Sequence, residues 1–378
     1  MAFEYYIRSG QRKLRCGYTT GTCAALAAAG AARLLLTGEA PERMCLMTPK
    51  GILVEVEPQS CAMAGDTARC AVVKDGGDDA DVTHGHLVCA SVARTAAGIT
   101  IDGGTGVGRV TRPGLDQPVG AAAINHVPRQ MIAAAVGEVC GETGYSEGLS
   151  VVISVPGGEE LARRTFNPML GIEGGISILG TSGIVEPMSE QAIVDTIAVE
   201  EHQAAFSGSK HLLLTPGNYG MDFLRENGLD AQGVPCVKCS NFLGEALDIA
   251  VVEGFQSVLL VGHIGKLVKL AGGVMNTHSK WADCRVELFC AHTAVCGGGT
   301  DLCRRLMEAA TTDACIAELD AAGLREAVME SLLAAIQRHL EYRAAGAFTV
   351  GAVAFSNEYG LLGKTETVEE IMEQWKQR

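Results

Sequence analysis

Hydrophobic positions along the chain fall into two regimes. In the first, short β-branched runs at Ile52 to Glu57, Ala71 to Val73, Leu87 to Ala93, Ile99 to Ile101 and Leu149 to Val155 are separated by Gly, Pro and Asp. This spacing predicts strands joined by tight turns. Between them, the hydroxyl-rich Tyr18-Thr19-Thr20-Gly21-Thr22 precedes the alanine-rich stretch Cys23 to Leu36, which predicts a capped, buried helix. A second helical segment opens at Pro187, Ser189 and Glu190 and runs to about Phe206. The irregular mixture predicts an α+β domain over residues 1–205.

From Lys210 the pattern becomes regular. Apolar runs at His211 to Thr215, Val234 to Lys238 and Ser257 to Val261 each end in a polar or glycine loop, Pro216 to Gly220, Ser240 to Phe242 and Gly262 to Lys266. Helix-like segments follow the first two, including Leu243 to Val252. Strand, loop and helix repeated in this way predict a parallel α/β domain over 206–378, with ligand loops at the carboxyl ends of the strands. Asp301 to Arg343 reads as helices, with Leu319, Leu324, Val328, Leu332, Leu333 and Ile336 at helical spacing.

Composition narrows the function. Thirty basic against 44 acidic residues give a net charge of −14, which disfavours nucleic acid and anionic membrane as partners. The 14 cysteines are spread over 378 residues, and Met1 to Gly10 lacks the apolar centre of a signal peptide. Reduced thiols in the cytoplasm are therefore expected. Cys23 to Leu36 is shorter than the roughly 18 residues a membrane span requires. Glycine, at 47 residues, is the outlier, and its clusters mark the loops where chemistry is sought.

Gly103-Gly104-Thr105-Gly106-Val107-Gly108 is followed by extended chain and Pro113, so it lacks the helix of a dinucleotide fingerprint. It is either a turn between strands or a loop approaching a ligand, with Arg112 and Arg129 as carboxylate partners. Asp81-Val82-Thr83-His84-Gly85 is either a turn capping the next strand or, where the groups converge, an acid/base cluster. Gly262-His263-Ile264-Gly265-Lys266 is no Walker loop, but its His and Lys suit an anion at a strand end. The lone Cys236-Val-Lys-Cys239 has no second pair, and neither a metal nor a redox role is expected of it.

Several longer motifs then matter together: Gly17-Tyr-Thr-Thr-Gly-Thr-Cys-Ala24, Asp81-Val-Thr-His-Gly85, Thr111-Arg-Pro-Gly-Leu115, Thr165-Phe-Asn-Pro168, Gly174-Gly-Ile-Ser-Ile-Leu-Gly-Thr181, Pro216-Gly-Asn-Tyr-Gly220, Ser240-Asn-Phe242 and the stretch from Val261 to Gly273 followed by Asn276-Thr-His278. In these the chain resembles the cobalt-precorrin-5B C(1)-methyltransferase family of anaerobic cobalamin biosynthesis. Two positions depart from that pattern, His126 where the family often has Pro and Met169 where it often has Arg. The resemblance implies transfer of a methyl group from S-adenosylmethionine to C1 of cobalt-precorrin-5B, giving cobalt-precorrin-6A. Cobalt then belongs to the substrate, and no protein-bound catalytic metal is expected.

It also implies an N-terminal domain similar to the second domain of ribosomal protein S5 and a Rossmann-like C-terminal one. Under this reading Asp81 and His84 are the catalytic polar pair. Gly217, Asn218, Tyr219, Ser240, Asn241, Phe242, Gly262 and His263 hold the methyl donor, and Thr19, Thr20, Thr22, Arg112, Arg129, Lys266 and Lys269 hold the carboxylate-rich corrinoid. Two other readings stand beside it: a small-molecule kinase using Gly103 to Gly108 as phosphate loop, and a non-catalytic tetrapyrrole carrier. Homo-oligomer formation is left open.

Overall fold

A computed structural model describes residues 3–376 apart from 10, 166, 219, 228–230 and 232. The chain forms two compact units, Met1–Ser189 and Glu190–Arg378. The division lies earlier than the expected 205, because the helix Glu190–Phe206 packs on the helix Leu243–Glu253 and the strand Cys236–Lys238 of the second unit.

The first unit is built on a five-stranded sheet in the order Ser60–Ala64, Thr67–Val73, Leu87–Thr95, Gly148–Ser154, Ile99–Gly103. All pairs are antiparallel except the last, which is parallel. Burial alternates along the central strands, with Ala68, Cys70, Val72, Val88, Ala90, Val92, Leu149, Val151 and Ile153 turned into the core. That period of two gives the sheet one covered face. The cover is the helix Thr20–Thr37 with the helix His126–Thr143 beside it.

Thr20–Thr37 starts where Thr19 caps it, the Thr19 hydroxyl accepting from the Thr22 amide at 3.2 Å. It stops at Gly38, whose left-handed φ of 80° closes the end. The helix is thus longer than the apolar run alone predicts, and by length and composition it could cross a membrane, but 78% of it is buried inside the unit. Gly30 explains how close the packing is: a Cβ there would stand 2.4 Å from the Met44 sulfur and 2.8 Å from that of Cys70. His126 occupies the first turn of the second helix, where a proline would also be accommodated.

The second unit carries a sheet ordered Cys236–Lys238, His211–Thr215, Ser257–His263, Thr349–Ser356, Gly360–Lys364, parallel except for its last pair. Counted within the unit, this is strand order 2-1-3-4-5. Leu212, Leu214, Val258 and Leu260 face one core with the helices Leu243–Glu253 and Arg325–Ala344. Leu213, Leu259, Val261, Val353 and Phe355 face another with Phe223, Leu224, Ile371 and Trp375. Helices thus cover both faces, and the order reverses between His211–Thr215 and Ser257–His263, the place where such sheets open a crevice at their carboxyl ends.

Candidate functional site

In the first unit, motifs far apart in sequence meet at the start of the helix Thr20–Thr37. The Thr19 amide donates to the Gly183 carbonyl at 3.0 Å and the Gly21 amide to that of Leu179 at 3.1 Å. The Thr20 hydroxyl donates to Leu179 O at 3.2 Å, and the Thr22 hydroxyl to Gly183 O at 2.7 Å. Gly180, with φ 128°, lies so close to Thr19 that a Cβ would stand 2.3 Å from the Thr19 Cβ. The helix start is therefore filled by the chain's own carbonyls. Thr19, Thr20 and Thr22, at most 5% exposed, are corrected from substrate contacts to builders of this junction.

The Asp81–Gly85 loop is an excursion closed at its neck, where the Lys74 amide donates to His86 O and the Gly85 amide to Lys74 O. Asp81 accepts from the Lys74 ammonium at 2.7 Å and from the Thr83 amide and hydroxyl at 2.8 and 2.6 Å. Burial alone would raise its carboxyl, but the Lys74 charge and these hydrogen bonds outweigh it and hold the carboxyl below its ordinary value. His84 is exposed, and its Nδ1 accepts from the Gly76 amide at 2.9 Å. The neutral ring consequently carries its proton on Nε2. Asp81 and His84 both pack against Gly76, whose Cβ would meet theirs at 3.3 and 3.4 Å. They share a loop, but each has its own partner. Asp75 completes the cluster, paired to Arg15 at 2.5 and 2.9 Å.

Two further expectations are revised in this unit. Arg129 donates to the backbone carbonyls of Ile124, Ile101 and Ala122 at 2.9, 2.8 and 3.4 Å, so its guanidinium braces the chain. The glycines of 103–108 are packed against protein: a Cβ at Gly104 would stand 2.4 Å from the Ser154 hydroxyl oxygen and one at Gly106 1.9 Å from the Val155 carbonyl oxygen. Strands Gly106–Val107 and Arg109–Val110 follow instead of a helix. A phosphate cradle needs open amides there, and the kinase reading loses its loop. Arg112 is exposed, and its side chain crosses Gly171.

In the second unit two strand-end loops meet at Lys266. The Lys266 ammonium donates to Pro216 O at 2.7 Å and to Ser240 O at 3.3 Å, tying the loop after His211–Thr215 to the loop after Cys236–Lys238. Burial lowers its pKa below the ordinary lysine value. Ser240 sits in the left-handed region at φ 54°, a strained geometry for a residue with a side chain. Asn218 accepts from Lys238 at 2.5 Å, and a Cβ added to Gly217 would meet open space. His263 Nδ1 accepts from the Gly265 amide at 3.0 Å, leaving the proton of the neutral ring on Nε2. Asn241 holds Thr277 through two contacts, the Thr277 hydroxyl to Oδ1 at 3.1 Å and its amide to the Asn241 carbonyl at 3.0 Å.

Three residues do other work. Phe242 is 5% exposed and belongs to the core, so its ring is not free to stack on a ligand. Gly262 makes room for Pro216, whose Cγ a Cβ would meet at 2.8 Å. Lys269, 3% exposed, donates to the carbonyls of Thr277 and Ala282 at 3.0 and 2.8 Å and clamps a loop. Tyr219 lies outside the described residues.

Sequence reasoning missed Lys74, Asp75, Arg15 and the buried Glu201. The signal for two of them was periodicity. Lys74 continues the inward series Ala68, Cys70, Val72, and Glu201 falls on the buried stripe Ile197, Glu201, Ala204 of its helix.

Comparison with known proteins identifies the chain's relatives. The family model described as CbiD matches residues 7–187, and that described as CbiD, C-terminal domain, matches 276–366. The cobalt-precorrin-5B C(1)-methyltransferase of Ruminiclostridium cellulolyticum is 47% identical over 94% of this chain and 92% of that relative. The protein of the same name from Alkaliphilus metalliredigens is 42% identical over 98% and 97%. A crystal structure of the cobalamin biosynthesis protein (cbiD) from Archaeoglobus fulgidus is 30% identical, covering 73% of this chain and 86% of that one, with a TM-score of 0.40. With relatives this similar over nearly its whole length, the chain belongs to the CbiD family.

Proposed function

We propose that this protein is an S-adenosylmethionine-dependent methyltransferase acting at C1 of cobalt-precorrin-5B, in the cytoplasm. The observation that carries the reading is the near full-length identity to relatives bearing that activity in their names. The geometry supports a donor site at the carboxyl ends of the parallel strands, where Lys266 joins two loops at the reversal of strand order. A domain likeness to ribosomal protein S5 in the first unit and to a Rossmann fold in the second is part of the same proposal.

The residues present fit the donor. Among the described residues Lys266 spends two of its three donors on carbonyls, which leaves one for a carboxylate. Gly217 leaves room for a ligand, and Asn218, Ser240, Asn241 and His263 Nε2–H offer polar partners around it. Bound there, S-adenosylmethionine supplies an electrophilic methyl group on a sulfonium. The S–CH3 bond breaks as the C1–CH3 bond forms, so the work left to the chain is alignment and exclusion of water. In the first unit Asp81 is proposed as the anchor of the His84 loop.

Incubation with methyl-labelled S-adenosylmethionine and cobalt-precorrin-5B tests the reading, and label is expected in the ring. Tight ring binding without label would favour the carrier. Heat protection by ATP in place of S-adenosylmethionine would sink the proposal.

A further inference from the structure

The loop from Thr277 to Ala282 is held at both ends by one buried cation. Lys269 donates to the carbonyls of these two residues, and taking an ammonium out of water for this purpose is costly unless all its bonds are well made. Asn241 fixes the same loop from the strand-end side. The clamped segment presents Trp281 at 61% exposure, the more exposed of the chain's two tryptophans, since Trp375 is 4% exposed and donates to Ser257. A turn sets its position, the Trp281 amide donating to His278 O at 3.0 Å. His278 Nδ1 accepts from the Lys280 amide at 3.1 Å, so the neutral ring carries its proton on the exposed Nε2. The Lys280 ammonium stands 5.3 Å from the Trp281 ring centroid and pairs with Glu190.

A large exposed aromatic on a rigid loop costs hydration unless something covers it. We infer that the Trp281 ring is the stacking platform for the tetrapyrrole plane of the corrinoid, with His278 Nε2–H as donor to a peripheral carboxylate. This rests on the methyltransferase reading and deepens it by giving the acceptor a subsite in the unit that carries the donor loops. Two features favour a flat polycarboxylate over a protein partner. His278, a hydrogen-bond donor, belongs to the same turn as the ring, and Asn241 couples its loop to the donor loops.

The test uses the full-length protein. Trp281→Ala is expected to raise the KM for cobalt-precorrin-5B about 10-fold or more, as loss of one ring–aromatic stack does elsewhere. Affinity for S-adenosylmethionine and the unfolding temperature should stay at wild-type values, and Trp281→Phe should recover most of the loss. The fluorescence that wild type has and Trp281→Phe lacks should be quenched saturably by the corrinoid. An unchanged KM in Trp281→Ala would overturn the inference. So would a shift from dimer to monomer in that variant on sedimentation, which would assign the ring to a second copy. Ring binding that depends on Trp281 without methyl transfer by wild type would uphold the subsite and overturn the methyltransferase reading.

Discussion

The ammonium of Lys74 lies 2.7 Å from a carboxylate oxygen of Asp81, and the lysine is only 1% exposed. The pair seals the neck of the Asp81–Gly85 loop against the core. Removing one partner of such a pair leaves an uncompensated buried charge. Asp81→Ala should therefore cost about 3–5 kcal/mol in urea unfolding, by the usual magnitude for a broken buried pair, while the double variant Lys74→Met with Asp81→Leu regains most of it. The Asp81 carboxyl is held below its ordinary 3.8 in the folded protein. Its contribution is thus present above pH 3.8 and is lost as pH falls below that value. Equal stability of the single and double variants would show that the pair is not coupled.

Much of the second unit was legible because parallel strands buried on both faces are continuous apolar runs and their loops start with proline, serine or glycine. The chemistry of single cations was not. Arg129 and Lys269 look on paper like anion binders. Spacing shows where a side chain starts, but not whether its donors are already consumed by backbone carbonyls. The hydroxyls of Thr20 and Thr22 were misjudged for the same reason, since the carbonyls that use them come from Leu179 and Gly183, about 160 residues away, and that of Thr19 is taken by the Thr22 amide. Phe242 stands at the N-cap of the helix Leu243–Glu253 and packs in the core, which a three-residue motif does not reveal.

Two glycines with opposite surroundings separate packing from binding. Gly106 has φ 75°, and a Cβ there would lie 1.9 Å from the Val155 carbonyl oxygen. Gly106→Ala should destabilise the protein by roughly 2–4 kcal/mol, as a side chain forced into the left-handed region against backbone does. Gly217 faces open space. Gly217→Leu should leave the unfolding temperature within about 1 °C of wild type and still weaken S-adenosylmethionine binding in calorimetry. Normal donor affinity in Gly217→Leu would remove that loop from the site.

Lys266 offers a sharper test of the donor site. Lys266→Met keeps the apolar stem but removes the charge and the bonds to Pro216 and Ser240. Loss of a charged hydrogen bond to a carboxylate is worth about 1.5–3 kcal/mol, so donor affinity should fall about 10- to 150-fold. Because burial lowers this ammonium below 10.5, affinity in wild type should decline on the alkaline side before an ordinary lysine titrates. A variant that binds the donor normally but binds the corrinoid poorly would return Lys266 to the substrate.

Glu201 presents the reverse problem from Lys74. It is fully buried in the second unit, neither carboxyl oxygen has a hydrogen-bond partner among the described residues, and burial, with Glu253 and Glu200 nearby, pushes its pKa up to about 9. The folded protein therefore keeps a proton that the unfolded chain releases near 4.5. Stability should fall steadily as pH rises from 4.5 to about 9 and level off beyond, because the unfolded state binds fewer protons throughout that window. Glu201→Gln cannot ionise and should be free of this slope. Near pH 4 its stability should match wild type closely, and by pH 8 it should exceed it by several kcal/mol, about 1.4 kcal/mol for each pH unit above 4.5 over which the folded protein alone keeps the proton. Chemical denaturation of both proteins across this range measures the difference. Parallel curves would mean that Glu201 finds a compensating partner in solution.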